Sequence, residues 1–180
     1  GEQNFALENK DRVEILKGIG ALQIGASSPG GIINFVTKRP KDVSSATIGT
    51  GERGTQYIAA DYGTFLNKEK SLGIRINAAH ENIKPFVKGA EGKREFFSIA
   101  ADLKVTNKTL VQFDIEHQKK SQKPVYGVTL LGNSVIPQIP ADIMLNRYSW
   151  TEPTTINSLN TTLKIDHEIN NDLRSFTHLS

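Results

Sequence analysis

Apolar and polar residues alternate with a period of two along most of this chain, and this alternation constrains the fold more than any other feature. Successive side chains of a β-strand point to opposite faces, so the pattern predicts strands that each have one apolar and one hydrophilic face. We therefore expect a mainly β chain whose strands form an antiparallel meander. The apolar positions of the clearest strands are Leu72, Ile74, Ile76 and Ala78; Phe97, Ile99, Ala101, Leu103 and Val105; Val111, Phe113 and Ile115; and Leu159, Thr161, Leu163 and Ile165.

The connections between these predicted strands have two lengths. Residues 106–108 and 169–172 are short polar turns. Residues 82–93 and 118–157 are long and contain prolines, which interrupt strands. Short turns at one end and long loops at the other are typical of transmembrane β-barrels. A soluble antiparallel sandwich or barrel also alternates, because one of its faces packs in a core, so the pattern alone leaves both architectures open.

The composition is compatible with both architectures. The hydrophobic fraction is 37%, and no run approaches the roughly 20 apolar residues of a membrane-spanning helix. Basic and acidic residues are interspersed and the net charge is only +3, so no clustered basic surface predicts nucleic-acid binding. The chain has no cysteine, which excludes disulfides and thiolate metal ligands. Residues 1–9 lack the features of a signal peptide, so the signal of an exported protein is expected upstream.

Residues 12–40 have a different organisation from the rest of the chain. Residues 13–16 predict a short strand, and residues 21–24 predict one or two helical turns. The glycines and the proline of residues 25–31 predict a tight loop. Residues 32–36 are almost continuously apolar, which predicts a second strand buried on both faces.

No catalytic or metal-binding pattern accompanies this segment. Gly20 and Gly25 have the spacing of a phosphate-binding loop, but Ala26 and Ser27 follow where that motif requires Lys and then Ser or Thr. Residues 25–30 also differ from the GxSxG turn of a nucleophilic serine. We therefore predict no enzyme, no catalytic residue and no metal centre. The histidines, which fall in different predicted strands without metal-ligand spacing, are His80, His117, His167 and His178.

The same segment resembles the end of the plug in TonB-dependent siderophore receptors. Their pattern runs roughly R-V-E-V-x-[KR]-G-P, a short apolar helix, Y-G, and then S-P-G-G-x-[IVL]-N-x-V-[ST]-K-[RK]-P. This chain departs from it at Ile19, where the family commonly has Pro, and at Ile24, where Tyr is common. Beyond Pro40 the resemblance is looser but continues in the same order to the end of the chain. The matching residues are Arg12, Val13, Glu14, Lys17, Gly18, Gly25, Ser28, Pro29, Gly30, Gly31, Asn34, Val36, Thr37, Lys38, Arg39 and Pro40.

The resemblance implies a plug inside a large transmembrane β-barrel. Residues 1–40 would be the C-terminal part of the plug domain, and residues 41–180 the N-terminal strands and loops of the barrel. Such receptors close about 22 strands, and an open sheet in lipid leaves backbone groups unpaired. The six or seven strands expected here are therefore an incomplete barrel, with polar faces toward the plug-filled lumen and apolar faces toward outer-membrane lipid.

The function that the resemblance implies is import of a ferric siderophore across the bacterial outer membrane. The siderophore is the transported ligand, and no cofactor is expected. The TonB complex would contact a plug segment that is not in this chain. Import of haem, cobalamin or another chelate is an alternative within the same class. A soluble β-sandwich that serves in binding or adhesion is an alternative of a different class.

Two sets of site residues follow from the resemblance. Aromatic rings suit flat, partly apolar chelates, although Tyr148 and Trp150 also fit an interfacial girdle or loop packing. Lys123 and Arg147 would attract an anionic chelate. The expected ligand contacts are Gln23, Ile24 and Gly25 at the plug apex and Tyr126, Tyr148 and Trp150 in the long loop. The expected plug-to-barrel ion pairs involve Arg12, Glu14 and Arg39 from the plug, with Glu81 and Glu116 as lumenal partners.

Overall fold

The computed structural model of the chain consists almost entirely of β-strands. It describes residues 5–18, 30–125, 132, 134–135, 138, 140–144 and 148–180. No helix among these residues is long and apolar enough to cross a membrane. The elements described are β1 (Lys10–Lys17), β2 (Gly31–Thr37), β3 (Val43–Thr50), a 3-10 turn (Glu52–Gly54), β4 (Gln56–Phe65), β5 (Leu72–Ile83), β6 (Gly92–Thr106), β7 (Thr109–Gln122), β8 (Thr154–Asn170) and β9 (Leu173–Leu179).

β1 and β2 form a two-stranded antiparallel sheet, in which Val13 is opposite Phe35 and Ile15 is opposite Ile33. The prediction that the second of these strands is buried on both faces is wrong, because Ile33 is 60% exposed. Within the described part of the chain, β2 pairs only with β1, and its apolar side chains lack a second covering layer. The predicted helical turns at residues 21–24 lie outside the described residues.

β3 to β9 form one sheet in which every strand is antiparallel to the next along the chain. Residues 66–71, 107–108 and 171–172 connect strands at one end of this sheet, and residues 51–55, 84–91 and 123–153 connect them at the other. The two longest connections, residues 84–91 and 123–153, lie at the same end, as predicted, although residues 66–71 at the opposite end are no shorter than residues 51–55. The long connections are shorter than the sequence predicted, because β5, β6, β7 and β8 continue pairing into those ranges. β3 and β9 are the two edges, so the sheet is open in this chain.

In this sheet the hydrophilic face is buried and the apolar face is exposed, which is the reverse of a soluble sandwich. On the hydrophilic face, Arg75 is 3% and Asn77 is 2% exposed. On the apolar face, Phe97 is 45% and Leu159 is 64% exposed. A soluble sheet buries its apolar face against a core, whereas a strand that faces lipid presents its apolar side outward. The exposed apolar face therefore argues for a membrane environment.

The hydrophilic face of the sheet is covered by two short segments that flank the β1–β2 sheet. Residues 5–10 cross it near the long-loop end, where Ala6 packs in a small cluster with Ala79 and Phe96. Residues 38–40 cross it further toward the short-turn end, as the contacts of Lys38 and Arg39 below show. Apolar packing between the segments and the sheet is confined to a few side chains, so charged groups make most of the attachment.

Candidate functional site

Residues 5–10 are attached to the sheet chiefly through Arg94 of β6. Its guanidinium donates to Glu8 Oε1 at 2.5 Å and to Glu81 Oε2 at 3.0 Å. The hydroxyl of Tyr57 on β4 donates to the same Glu8 oxygen at 3.1 Å. Both Arg94 and Glu8 are largely buried. A buried charge is tolerated when it is paired and hydrogen-bonded, and Glu8 meets both conditions.

The environment of Glu8 keeps its carboxylate ionised. Burial raises the pKa of Glu8, but the hydrogen bond and the positive charge of Arg94 outweigh burial and hold that pKa below its usual value. A carboxylate whose pKa is lower in the folded state stabilises that state above its unfolded pKa, about 4.3 for Glu. This contribution is lost as the pH falls through the lower, folded pKa. Attachment of residues 5–10 should therefore depend on pH in the acid range.

We expect acidification below about pH 4 to detach residues 5–10 while the sheet itself persists. A fluorophore on a Leu7→Cys variant of the full-length protein reports this, because Leu7 is exposed and its label gains mobility when the segment is released. Fluorescence anisotropy should fall in a step that lies below about pH 4. The control adds Glu8→Gln, which removes the titrating group and should remove the step. An unchanged step in that control would assign the transition to another group.

Glu116 of β7 binds the residues that follow Glu8. Asn9 Nδ2 donates to Glu116 Oε2 at 2.8 Å, and Lys10 Nζ donates to the same oxygen at 2.6 Å. Asn160 of β8 donates to the other carboxylate oxygen at 2.9 Å. Glu116 therefore carries an ion pair between the N-terminal segment and the sheet, with Lys10 as its cationic partner.

Arg39 is the second point of attachment. Its Nη1 donates to Asp114 Oδ1 at 2.6 Å, and its Nε donates to Asp102 Oδ1 at 3.1 Å. Nη2 also donates to the carbonyl oxygen of Ala101 at 3.2 Å. Burial lowers the pKa of Arg39, but the two aspartates outweigh it and raise that pKa above its usual value. One guanidinium thus joins β6 and β7 to residues 38–40.

Asp61 of β4 attaches residues 38–40 to the part of the sheet formed by β4 and β5. Both of its oxygens accept from Arg75, at 2.7 Å each, which is the bidentate geometry that guanidinium and carboxylate favour. Lys38 Nζ donates to Asp61 Oδ2 at 2.8 Å. Arg75 also donates to the carbonyl oxygen of Arg39 at 3.2 Å. Residues 38–40 therefore contact charged side chains of β4, β5, β6 and β7.

Two of the predicted plug residues do not reach the sheet. Arg12 Nε donates to Glu14 Oε1 at 2.8 Å, so these residues pair with each other along β1. Asn34 of β2 donates to the other oxygen of Glu14 at 2.9 Å. Both members of the pair are exposed. Glu81, expected as a lumenal partner, pairs with Arg94 on the adjacent strand.

The aromatic pair of the long loop forms a flat exposed surface. The rings of Tyr148 and Trp150 stack with centroids 4.6 Å apart and planes 6° apart. Tyr148 is 57% and Trp150 is 73% exposed. The other expected ligand contacts, Gln23, Ile24, Gly25 and Tyr126, lie outside the described residues, as does Arg147.

The long connections are joined to one another beyond the end of the sheet. Lys88 pairs with Ile143 in an isolated parallel bridge, and its ammonium lies 2.7 Å from Asp142 Oδ2. Thr55 and Lys84 exchange hydrogen bonds between the first and second connections, and Arg53 lies over the ring of Phe86 at 4.8 Å. The three loops therefore form one contiguous surface above the strands.

A cavity of about 480 Å³ opens below this surface, on the covered face of the sheet. It combines apolar side chains with two cations and two carboxylates, which is the mixed lining that small polar ligands need. Apart from Glu81, the sequence analysis did not single out these residues. The one available signal was the alternation in β4 to β7, whose inward positions include Tyr57, Arg94 and Lys120. The lining residues are Phe5, Leu7, Glu8, Tyr57, Glu81, Ile83, Arg94 and Lys120.

Comparison with known proteins gives two informative sequence relatives, while no protein-family model matches the chain. The chain is 37% identical over 86 residues to the metal-pseudopaline receptor CntO of Pseudomonas aeruginosa, a match that covers 47% of this chain and 12% of CntO. It is 24% identical over 167 residues to the ferrichrome outer membrane transporter/phage receptor of Escherichia coli K12, covering 89% of this chain and 22% of that transporter. The chain spans less than a quarter of the length of the curated relatives it matches.

The fold agrees with these relatives. BauA, the ferric preacinetobactin receptor of Acinetobacter baumannii, superposes with a TM-score of 0.79 over 94% of this chain and 26% of BauA, at 24% identity. The chain therefore resembles TonB-dependent outer-membrane receptors in sequence and in fold. This chain therefore lies in the bacterial outer membrane. In barrels of this type the short turns face the periplasm and the long loops face outward, which makes the joined loop surface extracellular. Its relatives are receptors and transporters rather than enzymes.

Proposed function

We propose that the protein containing this chain binds a ferric siderophore from outside the cell and imports it. Relatives named for metal-pseudopaline, ferric pyoverdine 358 and ferrichrome support this ligand class. The observation that carries the proposal is the inverted burial of the sheet, whose charged face is covered by residues 5–10 and 38–40 while its apolar face is open. A receptor with an occupied lumen requires that arrangement, whereas an adhesion sandwich has no use for it.

The same arrangement supports a division of the chain into two functional parts. Residues 1–40, which include the β1–β2 sheet and the two attached segments, would be the C-terminal part of the plug. Residues 41–180, which include the seven-stranded sheet, would be the first strands and loops of the barrel. The TonB complex would act through a plug segment outside this chain. No cofactor or catalytic group is needed, because the ferric chelate is cargo.

The ligand would enter between the extracellular loops and the plug. Tyr148 and Trp150 offer two stacked rings for a flat chelate, and such contacts contribute about 0.5–1.5 kcal/mol each beyond burial. The cavity on the covered face of the sheet has room for polar arms of the ligand beside Tyr57 and Lys120. Gln23, Ile24, Gly25 and Tyr126 are the further contacts proposed from the resemblance.

We expect ferric siderophores to quench the fluorescence of Trp150, the only tryptophan of this chain. The full-length receptor in detergent is titrated with a panel of ferric siderophores, haem and cobalamin. Subtracting the titration of a Trp150→Phe variant isolates the signal of this residue. One ferric chelate class should quench it saturably, and Tyr148→Ala, which keeps Trp150 as the reporter, should weaken binding by up to about tenfold. Binding of haem or cobalamin alone would refute the siderophore assignment, and no binding of any member would refute the receptor assignment.

A further inference from the structure

Glu8 lies in the cavity on the covered face of the sheet, and its carboxylate accepts hydrogen bonds from side chains of β4 and β6. The Arg94 guanidinium donates to both carboxylate oxygens, at 2.5 and 3.2 Å, and the Tyr57 hydroxyl donates to one of them at 3.1 Å. All three residues line the cavity. A ligand that enters the cavity therefore meets the same donors that now bind Glu8.

The charges that line this cavity are balanced only while Glu8 is present. Antiparallel register places Glu81, Arg94 and Lys120 side by side on β5, β6 and β7. Arg94 also donates to Glu81, at 3.0 Å, whereas Lys120 has no carboxylate partner within 4 Å in the part of the chain that the structure describes. With Glu8 in place the lining has two carboxylates and two cations. Without Glu8 it has an excess of positive charge.

The neighbours of Glu8 in residues 5–10 add little apolar attachment to the sheet. Phe5 is 54% and Leu7 is 56% exposed, and the ring of Phe5 contacts Phe35 of β2, with centroids 4.9 Å apart. Ala6 is buried against the sheet but contributes only a methyl group. This end of the segment is therefore attached mainly through the charge of Glu8.

We propose that Glu8 occupies an anion site of the barrel in place of the ligand, and that an anionic ferric chelate displaces it. This Arg94 anion site consists of Tyr57, Arg94 and Lys120. The inference rests on the proposed function and narrows its ligand class to chelates with carboxylate or phenolate oxygens that carry negative charge. Such oxygens accept charge-assisted hydrogen bonds from guanidinium and ammonium groups. A neutral chelate lacks the charge that would replace Glu8.

Displacement of Glu8 would couple the ligand to the covering segment. Glu8 and the chelate exclude each other at Arg94, so each weakens binding of the other by the same factor. Asn9 and Lys10 keep their contacts with Glu116, because these lie outside the Arg94 anion site. An anionic chelate should therefore free one end of residues 5–10 and leave the other end attached.

Two synthetic ferric complexes on the same tripodal scaffold test the inference, an anionic tris-catecholate and a neutral tris-hydroxamate. Isothermal titration calorimetry gives their affinities for the full-length receptor in detergent. Glu8→Gln removes the competing charge, so it should bind the tris-catecholate about tenfold more tightly than the wild type does and the tris-hydroxamate equally. The matched control is Glu14→Gln, which removes the same charge from an exposed carboxylate that pairs with Arg12 within β1. It should bind both complexes as the wild type does.

Lys120 and Lys119 give a second matched pair, because they are neighbours on β7 whose side chains line cavities on opposite faces of the sheet. Lys120→Gln should weaken binding of the tris-catecholate about tenfold, since it removes a charged donor of the site. Lys119→Gln should leave that affinity unchanged.

Maleimide labelling of an Ala6→Cys variant measures the displacement itself. Saturating tris-catecholate should raise the labelling rate about tenfold, and saturating tris-hydroxamate should not change it. Unchanged affinity of Glu8→Gln for the tris-catecholate would overturn the proposal, as would an equal gain for both complexes, which would indicate a general loosening of the segment. Binding of the tris-hydroxamate alone would overturn it and leave the proposed function intact, whereas binding of neither complex by any variant would contradict both.

Discussion

Asp61→Asn is expected to release residues 38–40 from the seven-stranded sheet. The substitution removes the charge that pairs with both Arg75 and Lys38, and Arg75 is almost fully buried. Loss of one partner from a buried ion pair costs about 3–5 kcal/mol, because the remaining charge stays uncompensated. We take about 3 kcal/mol as the local effect, since Lys38 retains some access to water.

Hydrogen exchange in the full-length receptor measures this release. The Lys38 amide donates to the carbonyl oxygen of Asn9 at 2.8 Å. This bond joins the two covering segments, so it should open when residues 38–40 leave the sheet. Its protection should fall about a hundredfold, which corresponds to the expected loss at roughly 1.4 kcal/mol per tenfold change. Asp42→Asn is the matched control, because Asp42 pairs with Lys70 at 3.6 Å and both side chains are exposed. Its effect should stay below about 1 kcal/mol, and equal effects of the two substitutions would contradict the prediction.

Arg94→Met is expected to release residues 5–10. It leaves the carboxylates of Glu8 and Glu81 on the covered face without the guanidinium that both now contact. Unpaired, partly buried carboxylates repel each other and lose the hydrogen bonds that offset their desolvation, at a cost of about 3 kcal/mol. The side chain of Met fills most of the space of the arginine stem, so the change is mainly electrostatic.

The reactivity of a cysteine at position 6 measures this second release. Ala6 is buried against Ala79 and Phe96, so a maleimide should react slowly with Ala6→Cys and about a hundredfold faster once Arg94→Met is added. Arg12→Met is the control, because Arg12 pairs with Glu14 on the exposed side of β1 and should leave the rate unchanged. Glu8→Gln added to Arg94→Met should restore part of the protection, since it removes one of the opposed charges. Full protection in Arg94→Met alone would show that Arg94 does not hold the segment.

The strands were predictable from sequence because their faces differ so clearly. Phe97 and Ser98 are neighbours in the chain, and the pleat places Phe97 outward and Ser98 inward, as the alternation predicted. The strand ends were less predictable. Residues such as Lys119 and Lys120 are polar on both faces, so nothing in the local pattern shows that β7 continues there; pairing with β6 extends it.

The ion pairs were not predictable from local pattern, because they depend on how distant segments meet. Glu8 and Arg94 are separated by 86 positions in the chain, and only the docked arrangement brings them together. Arg12 and Arg39 were both expected to pair with the barrel strands. The structure separates them, since Arg39 follows the end of β2 and lies against β6 and β7, whereas Arg12 lies within β1 and pairs with Glu14 of the same strand.

The bridge between Lys88 and Ile143 reduces the conformational entropy of the longest loop. Without it, residues 123–153 would be one closed chain whose ends are fixed only by β7 and β8. The bridge divides that chain into a longer arm, 123–142, and a shorter arm, 144–153, and shorter arms lose less entropy when they adopt a single conformation. Tyr148 and Trp150 lie on the shorter arm. Sequence change and insertion in the longer arm can therefore alter its shape while the geometry of the stacked rings stays the same.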